Sequence, residues 1–166
     1  MRYLCCVILL LIFSGCGYRP SSSYLKESLG DRIYAKVDIS KYEPQNSIVL
    51  KDALNEAILE HFKASLSNEE NAISKIYVKL TNVDFAEIDY DINGYVVGYK
   101  TTVKLQTKYI QSNDKKHFIK TDGSYYFRVN PNSIISDNDR YEALKKASLK
   151  ALSELKHKII LLGSKK

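Results

Sequence analysis

Cysteine is missing from most of this 166-residue chain, because all three cysteines (Cys5, Cys6 and Cys16) lie within its first sixteen positions. Disulfide frameworks, C-x-x-C redox pairs and thiolate metal sites each need at least two cysteines. If the segment before Cys16 is removed during maturation, the remaining chain keeps a single cysteine. These classes of site are then excluded from the mature protein.

A hydrophobic run long enough to cross a membrane is also missing from the N-terminus. The apolar stretch 4–13 has about ten residues, whereas a bilayer core of roughly 30 Å needs about 20. Arg2 precedes this stretch, and the small residues Ser14 and Gly15 follow it, as in a cleaved signal peptide. The sequence therefore predicts a signal peptide over residues 1–15 rather than a transmembrane anchor.

The segment Phe13-Ser14-Gly15-Cys16 looks like a bacterial lipobox, in which the cysteine thiol receives a diacylglycerol and cleavage falls just before it. A thiol is the side chain nucleophilic enough to take the lipid near neutral pH. The alternative is an ordinary secretory signal with a chance cysteine. Several acyl chains, at about 0.8 kcal/mol per buried CH₂, would anchor the protein stably. Gly17, where some lipoproteins have Asp, permits export to the outer membrane.

Catalytic motifs are absent as well. The chain has no G-x-S-x-G, no glycine-rich phosphate loop and no H-E-x-x-H. His61, His117 and His157 are not paired at ligand spacing, and the alternating acids of 84–91 are typical of solvated strand residues rather than calcium ligands. We therefore expect a protein that is not an enzyme, with no cofactor and no metal site.

Charge is distributed unevenly along the chain, which has a net charge of +6. Residues 139–166 contain eight Lys or Arg against three Asp or Glu, so the positive excess lies on one C-terminal element. Such a surface can meet anionic lipid, nucleic acid or an acidic protein. Because the predicted signal peptide directs export, we expect no nucleic-acid partner.

Hydrophobic periodicity predicts the order β-α-β-β-β-α. Residues 33–39 alternate as a strand, and Leu50 to Leu66 recur at four-residue steps as a helix. Three further strands follow, with a β-bulge expected near Thr81-Asn82 and a hairpin turn at Asn93-Gly94. A helix after 137–139 ends the chain, with Tyr141 expected in its buried stripe. The prediction is an α+β two-layer sandwich in which two helices cover one face of a four-stranded, mostly antiparallel sheet.

The predicted domain organisation places a lipidated, aperiodic tether at residues 16–31 and a single domain at residues 32–166. If the helices cover the apolar face of the sheet, cations and interleaved tyrosines (Tyr77 and Tyr126) occupy the other face. Such a surface suits a phosphorylated, partly apolar ligand, although lysines on exposed strands also simply discourage edge aggregation. The six candidate cations are Lys79, Lys100, Lys104, Lys108, Lys120 and Arg128.

The mature chain resembles the LptE family, the lipopolysaccharide-assembly lipoproteins of the outer membrane. The resemblance covers nearly the whole mature chain and depends on the order and spacing of short motifs. These are Cys16-Gly17-Tyr18, the helix after the first strand, Asn93-Gly94, Tyr99, the strand KTTVKLQTKY (100–109), YYF (125–127), Asn130-Pro131 and Asp137-Asn138 before a basic last helix.

This resemblance implies a protein without catalysis that plugs the lumen of the LptD β-barrel, helps that barrel to assemble and binds lipopolysaccharide. It also implies an outer-membrane, lipid-anchored location facing the periplasm and the barrel lumen. Family members have basic residues where this chain has Ile92 and Ser136, so their ligand contacts do not carry over. The six sheet cations are our alternative candidates. A competing hypothesis is a different outer-membrane adaptor, such as a secretin pilot or an auxiliary subunit of a lipid transporter.

Overall fold

A computed structural model describes residues 21–39, 44–131 and 133–163. The predicted signal peptide and the candidate lipidation site Cys16 lie outside the described residues. The described part forms three α-helices, one π-helical turn (Ala57–His61) and five strands. In chain order they are α1 (Ser21–Leu29), β1 (Arg32–Asp38), α2 (Pro44–Glu56), β2 (Ser65–Leu66), β3 (Ser74–Tyr90), β4 (Val96–Ile110), β5 (Lys116–Arg128) and α3 (Asp137–Gly163).

The strands form one open sheet in the order β2-β1-β3-β4-β5. β1 pairs in parallel with β2 and β3, whereas β3, β4 and β5 form a long antiparallel meander. The α+β class is therefore confirmed, but the predicted count of four strands and two helices is wrong. The additional strand is the two-residue β2, and the additional helix is α1.

Helix α1 lies within the segment that the sequence predicts to be an aperiodic tether, so that prediction is wrong for residues 21–29. Leu25 and Leu29 are buried in the core. The hydroxyl of Tyr109 on β4 donates to the carbonyl of Ser28, and Ser74 Oγ on β3 donates to the carbonyl of Leu29 over 2.7 Å. These two buried bonds satisfy carbonyl groups that a helix C-terminus otherwise leaves without partners. The end of α1 is thus fixed to the sheet.

The second helix is shorter than its four-residue periodicity predicts. The α-helix ends at Glu56, a π-helical turn follows, and the amide of Phe62 donates to the carbonyl of Ala57 over 2.9 Å. Lys63 then adopts a left-handed backbone conformation (φ 54°), which ends the helix. Leu66, the last residue of the predicted stripe, lies instead in β2 and is exposed.

Helix α3 covers β4 and β5 and also contacts α1 and α2. It begins with a capping box: Ser136 Oγ accepts from the amide of Asp139, and Asp139 Oδ2 accepts from the amide of Ser136. Helix α3 lies very close to the sheet at Gly123 on β5, where an added Cβ would lie 2.2 Å from the carbonyl oxygen of Ala147. Small residues on both elements allow this close approach. Tyr141, predicted to be in the buried stripe, is 38% exposed.

The bulge and the hairpin turn are both confirmed. The register between β3 and β4 shifts between Leu80 and Asn82, so Val83 faces the helices, as Val78 does before the shift. In the turn after β3, the amide of Gly94 donates to the carbonyl of Asp91, and Gly94 takes the positive φ (83°) that such turns require. The Asp91 carboxylate also accepts from the amides of Asn93 and Tyr95, which rigidifies the turn.

A cationic open face with two adjoining cavities

The side of the sheet opposite the helices is called the open face. All six candidate cations lie on it, because they alternate along their strands with buried residues such as Val78, Leu105 and Ile119. The cations are Lys79, Lys100, Lys104, Lys108, Lys120 and Arg128. The structure separates them into two groups that have different surroundings.

Four of the cations line two adjoining cavities. The first has a volume of about 280 Å³ and is lined by Asp38, Tyr77, Lys79, Gln106, Lys108 and Phe118. The second has a volume of about 440 Å³ and is lined by Thr81, Lys104, Leu105, Gln106, Lys120, Thr121 and Asp122. Gln106 borders both cavities, so they form one depression. The residues that line the two cavities are called the cleft region.

Strand register places these residues in rows across the sheet. Tyr77, Lys108 and Phe118 are direct cross-strand neighbours on β3, β4 and β5. The next row consists of Asp38, Lys79, Gln106 and Lys120. Since neighbouring side chains in such rows lie about 5 Å apart, a lysine stands between two aromatic residues in the first row.

Tyr77 is held in place from three directions. Its ring packs against the edge of Tyr34 at 5.8 Å between centroids, and Lys108 Nζ lies 5.5 Å from the ring centroid. The Tyr77 hydroxyl donates to Glu69 over 2.7 Å. Burial, together with this bond to the carboxylate, raises the pKa of Tyr77 to about 12. The ring is therefore fixed before any ligand arrives.

The remaining two cations lie nearer the β3–β4 turn, and one of them, Arg128, already has a carboxylate partner. Lys100 Nζ lies 5.5 Å from the ring centroid of Tyr126, and Arg128 Nη2 forms an ion pair with Asp89 at 2.7 Å. These four residues are called the hairpin region. In contrast, within the part of the chain that the structure describes, none of the four cleft lysines forms an ion pair within 4.0 Å of a carboxylate.

Helix α3 stabilises the outer edge of the cleft region. Glu154 accepts from the amide of Asp122 over 2.8 Å, and Lys158 donates to the carbonyl of Lys120 over 2.7 Å. Glu154 and Lys158 also pair with each other at 2.8 Å. Two outward backbone groups of the edge strand are thus occupied by side chains, which keeps β5 in place beside the second cavity.

Sequence reasoning missed several lining residues, among them Gln106 and Phe118, and a neighbouring lysine, Lys36. Lys36 pairs with Tyr77 across the parallel β1–β3 ladder and therefore extends the aromatic row on its other side. Strand alternation assigns all three residues to the open face. The signal that was missing is register, because the sequence does not show which residues of different strands are neighbours.

Two other kinds of site are absent from the described residues. No group of three or more His, Cys, Asp or Glu side chains there is arranged to hold a metal ion. No described helix combines the length and the apolar character that a membrane span requires. Of the histidines, His117 has a pKa lowered by burial and by nearby Lys115, and it contacts the ring of Tyr109.

Known proteins are similar to this chain in structure. No protein-family model matches the sequence, and no curated protein matches it. A candidate lipoprotein from Caulobacter crescentus has a TM-score of 0.54 at 10% identity, covering 88% of this chain and 97% of its own. A Xanthomonas campestris protein of the family model DUF330 has a TM-score of 0.52 at 12% identity, covering 81% of this chain and 86% of its own. At these identities the likeness establishes a shared fold.

Rare lipoprotein B from Shewanella oneidensis aligns with a TM-score of 0.47 at 9% identity, covering 81% of this chain and 94% of its own. The fold of this chain is one that the candidate lipoprotein from Caulobacter crescentus and the Xanthomonas campestris protein share.

Proposed function

We propose that this chain is a non-enzymatic lipoprotein of the outer membrane that plugs an LptD-like β-barrel, helps it to assemble and binds lipopolysaccharide on its open face. The observation that carries the proposal is the cleft region: four lysines that pair with no carboxylate of the described residues border one depression on a sheet face that the described helices leave uncovered. Phosphate groups of lipopolysaccharide are suitable partners for such ammonium groups.

Three further features support the plug. The core consists of a rigid sheet backed by helices, and it needs no disulfide because cysteine is absent after residue 16. The open face is polar, as a surface inside a polar barrel lumen must be. The lipobox-like segment ending at Cys16 would tether the domain to the membrane in which such a barrel lies.

Copurification tests the partner. Tagged full-length protein from detergent-solubilised outer membranes is expected to bring down a large β-barrel protein, identified by its heat-dependent shift in electrophoretic mobility and by mass spectrometry. A Cys16→Ala variant is the matched control for membrane attachment. If the wild-type protein brings down a secretin or a lipid-transporter subunit instead, the alternative adaptor hypothesis replaces the plug.

Direct titration tests the ligand. The full-length protein in a polyoxyethylene detergent is expected to bind purified lipopolysaccharide saturably. Enzymatic or chemical removal of the lipopolysaccharide phosphates is expected to weaken binding strongly, because the cleft lysines then lose their partners. Equal binding of the dephosphorylated form would contradict the proposed ligand contacts.

A further inference from the structure

We infer that the cleft region binds the phosphorylated sugar portion of its glycolipid ligand and not the acyl chains. This inference rests on the proposed function, since it names the part of the ligand that the open face recognises. Three features of the two cavities favour this part of the ligand: the polar side chains on their open-face side, the aromatic rings that border the first cavity, and the carboxylates that lie among the lysines.

Polarity argues against an acyl chain. On the open face, the second cavity is bordered by the side chains of two lysines, an amide and the Asp122 carboxylate. The side chains of Leu105 and Thr121 are buried on the helix side of the sheet. An acyl chain placed in this cavity would remove water from the polar groups without giving them hydrogen bonds, which is unfavourable. Phosphate and hydroxyl groups would instead give each of them a partner.

The aromatic rings of the first cavity offer a surface for a sugar ring. Tyr77 and Phe118 flank Lys108 in one cross-strand row. The Tyr77 hydroxyl is already bonded to Glu69, so this side chain offers its ring rather than its oxygen. Phe118 is 71% exposed on the edge strand, so its ring is accessible to a ligand. The C–H face of a pyranose packs against such rings while its substituents reach the flanking charges.

The carboxylates distinguish a sugar phosphate from phosphate alone. Asp38 lies in the row of Lys79, and Asp122 is the cross-strand neighbour of Lys104. A free phosphate ion would meet repulsion from both carboxylates, which are acceptors only. An amino sugar phosphate brings hydroxyl and ammonium donors for Asp38 and Asp122 together with an anion for the lysines. Gln106, between the two cavities, can both donate and accept.

The chain contains no tryptophan, which allows a specific fluorescent reporter. Phe118→Trp places a single indole at the edge of the first cavity. Tyr126→Trp is the matched control, because Tyr126 is also exposed on β5 and also neighbours a lysine, but lies in the hairpin region. Both full-length variants are titrated, in a polyoxyethylene detergent without sugar or phosphate, with glucosamine 6-phosphate, glucosamine, inorganic phosphate and dodecanoate.

The expected result is a saturable change in the fluorescence of Phe118→Trp with glucosamine 6-phosphate at concentrations at least tenfold lower than with phosphate or glucosamine. Tyr126→Trp is expected to show no saturable change. Adding Lys79→Gln and Lys108→Gln to the Phe118→Trp variant is expected to weaken the response at least tenfold. Circular dichroism of each variant verifies that it is folded.

Three results would overturn the inference: an equal response to inorganic phosphate, a response to dodecanoate alone, or no response to the sugar phosphate. Each of them leaves the proposed function standing if the wild-type protein still copurifies with a barrel and binds lipopolysaccharide. Conversely, if the wild-type protein neither copurifies with a barrel nor binds lipopolysaccharide, the proposed function fails. The assignment of a glycolipid to the cleft region then fails too, even if the sugar phosphate changes the fluorescence of Phe118→Trp.

Discussion

The cleft region and the hairpin region share one sheet face and the same residue types, yet they differ in whether a cation pairs with a carboxylate. In the hairpin region Arg128 is paired with Asp89, while Lys100 lies over Tyr126 as Lys108 lies over Tyr77 in the cleft region. In the cleft region the lysines border open cavities and pair with no carboxylate of the described residues. The number of cations on a strand therefore does not determine its capacity for anions. That capacity depends on whether a carboxylate lies within ion-pair distance of each cation.

The two regions also differ in what supports them from behind. Behind the junction of the two regions, Gly123 lies directly against the backbone of α3, and Tyr109 bonds to the end of α1 on the cleft side. The hairpin region extends toward a turn in which the Asp91 carboxylate accepts from two backbone amides. A rigid support keeps the rows of the cleft region at fixed spacing, which favours recognition of a ligand with several charged groups.

The largest expected effect comes from neutralising cations in pairs. Lys79→Gln with Lys108→Gln is expected to weaken lipopolysaccharide binding about 100-fold, because each hydrogen bond to a charged group contributes roughly 1.5–3 kcal/mol. Lys100→Gln with Arg128→Gln removes the same charge and is expected to change binding less than about threefold. Titration calorimetry of the full-length proteins measures both. Equal losses would mean that only total charge matters and would remove the distinction between the regions.

A second test concerns the support behind the sheet. Gly123→Ala would place a Cβ 2.2 Å from the carbonyl oxygen of Ala147 and 2.4 Å from the amide nitrogen of Ala151, so α3 must move away. We expect a loss of about 2–3 kcal/mol in the free energy of unfolding, as for other overpacked sites. The corresponding change in the hairpin region, Gly98→Ala, meets the side chain of Asp89 and is expected to cost about 1 kcal/mol.

Urea denaturation followed by circular dichroism measures both glycine variants. A larger loss for Gly98→Ala than for Gly123→Ala would show that the hairpin region is the more tightly packed of the two, contrary to the structure.

The bond between Tyr109 and α1 provides a third test. Tyr109→Phe leaves the buried carbonyl of Ser28 without this donor, which is expected to destabilise the protein by about 1–3 kcal/mol. Burial raises the pKa of Tyr109 to about 12. Between pH 10 and 12 the folded protein keeps a proton that the unfolded chain releases, so stability falls as pH rises through this window. That alkaline loss is expected to be smaller in Tyr109→Phe than in the wild type.

Hydrogen exchange followed by mass spectrometry locates the effect of Tyr109→Phe. Faster exchange is expected in α1 and at the cleft end of β4, while the turn after β3 is expected to keep its protection. Uniform acceleration over the whole sheet would show that this bond supports both regions equally.

The smallest expected effect concerns Glu69. Its pKa is lowered chiefly by the hydrogen bond from Tyr77, with burial opposing and Lys75 assisting. A carboxyl group with a lowered folded pKa stabilises the protein above its unfolded value, near 4.5, and this contribution is lost as pH falls through the folded pKa. Tyr77→Phe is therefore expected to raise the pKa of Glu69 and to weaken sugar-phosphate binding only slightly, because the ring remains. NMR titration of the carboxyl carbon measures the pKa, and an unchanged value would contradict the assigned cause.

Sequence alone predicted the parts of the fold that local patterning controls. Alternation along β4 identified the buried face from Val97 to Tyr109, and the change of parity after Leu80 located the bulge. Patterning failed where only a few residues carried the signal. Helix α1 has two buried leucines within a polar segment, and β2 has two residues, so neither shows a period.

The same limit applies to the site. The alternation of apolar and polar residues along each strand correctly predicted that all six cations lie on the open face. It could not show that Arg128 meets Asp89 or that Lys108 lies between Tyr77 and Phe118, because these are relations between strands. A division into bound and available cations becomes visible only when the register is known.

Because α1 packs against the sheet, the segment that links Cys16 to the folded domain is short. If the whole segment 16–31 were extended, the domain could lie some 50 Å from an acyl group on Cys16, at about 3.3–3.6 Å per residue. Because Leu25 and Leu29 are buried in the core, α1 is part of the folded domain, which therefore begins at Ser21. Five peptide steps separate Cys16 from Ser21, and their maximum length is about 18 Å. An acylated Cys16 would therefore hold the domain close against the bilayer surface, so that a partner must come to it within the plane of the membrane.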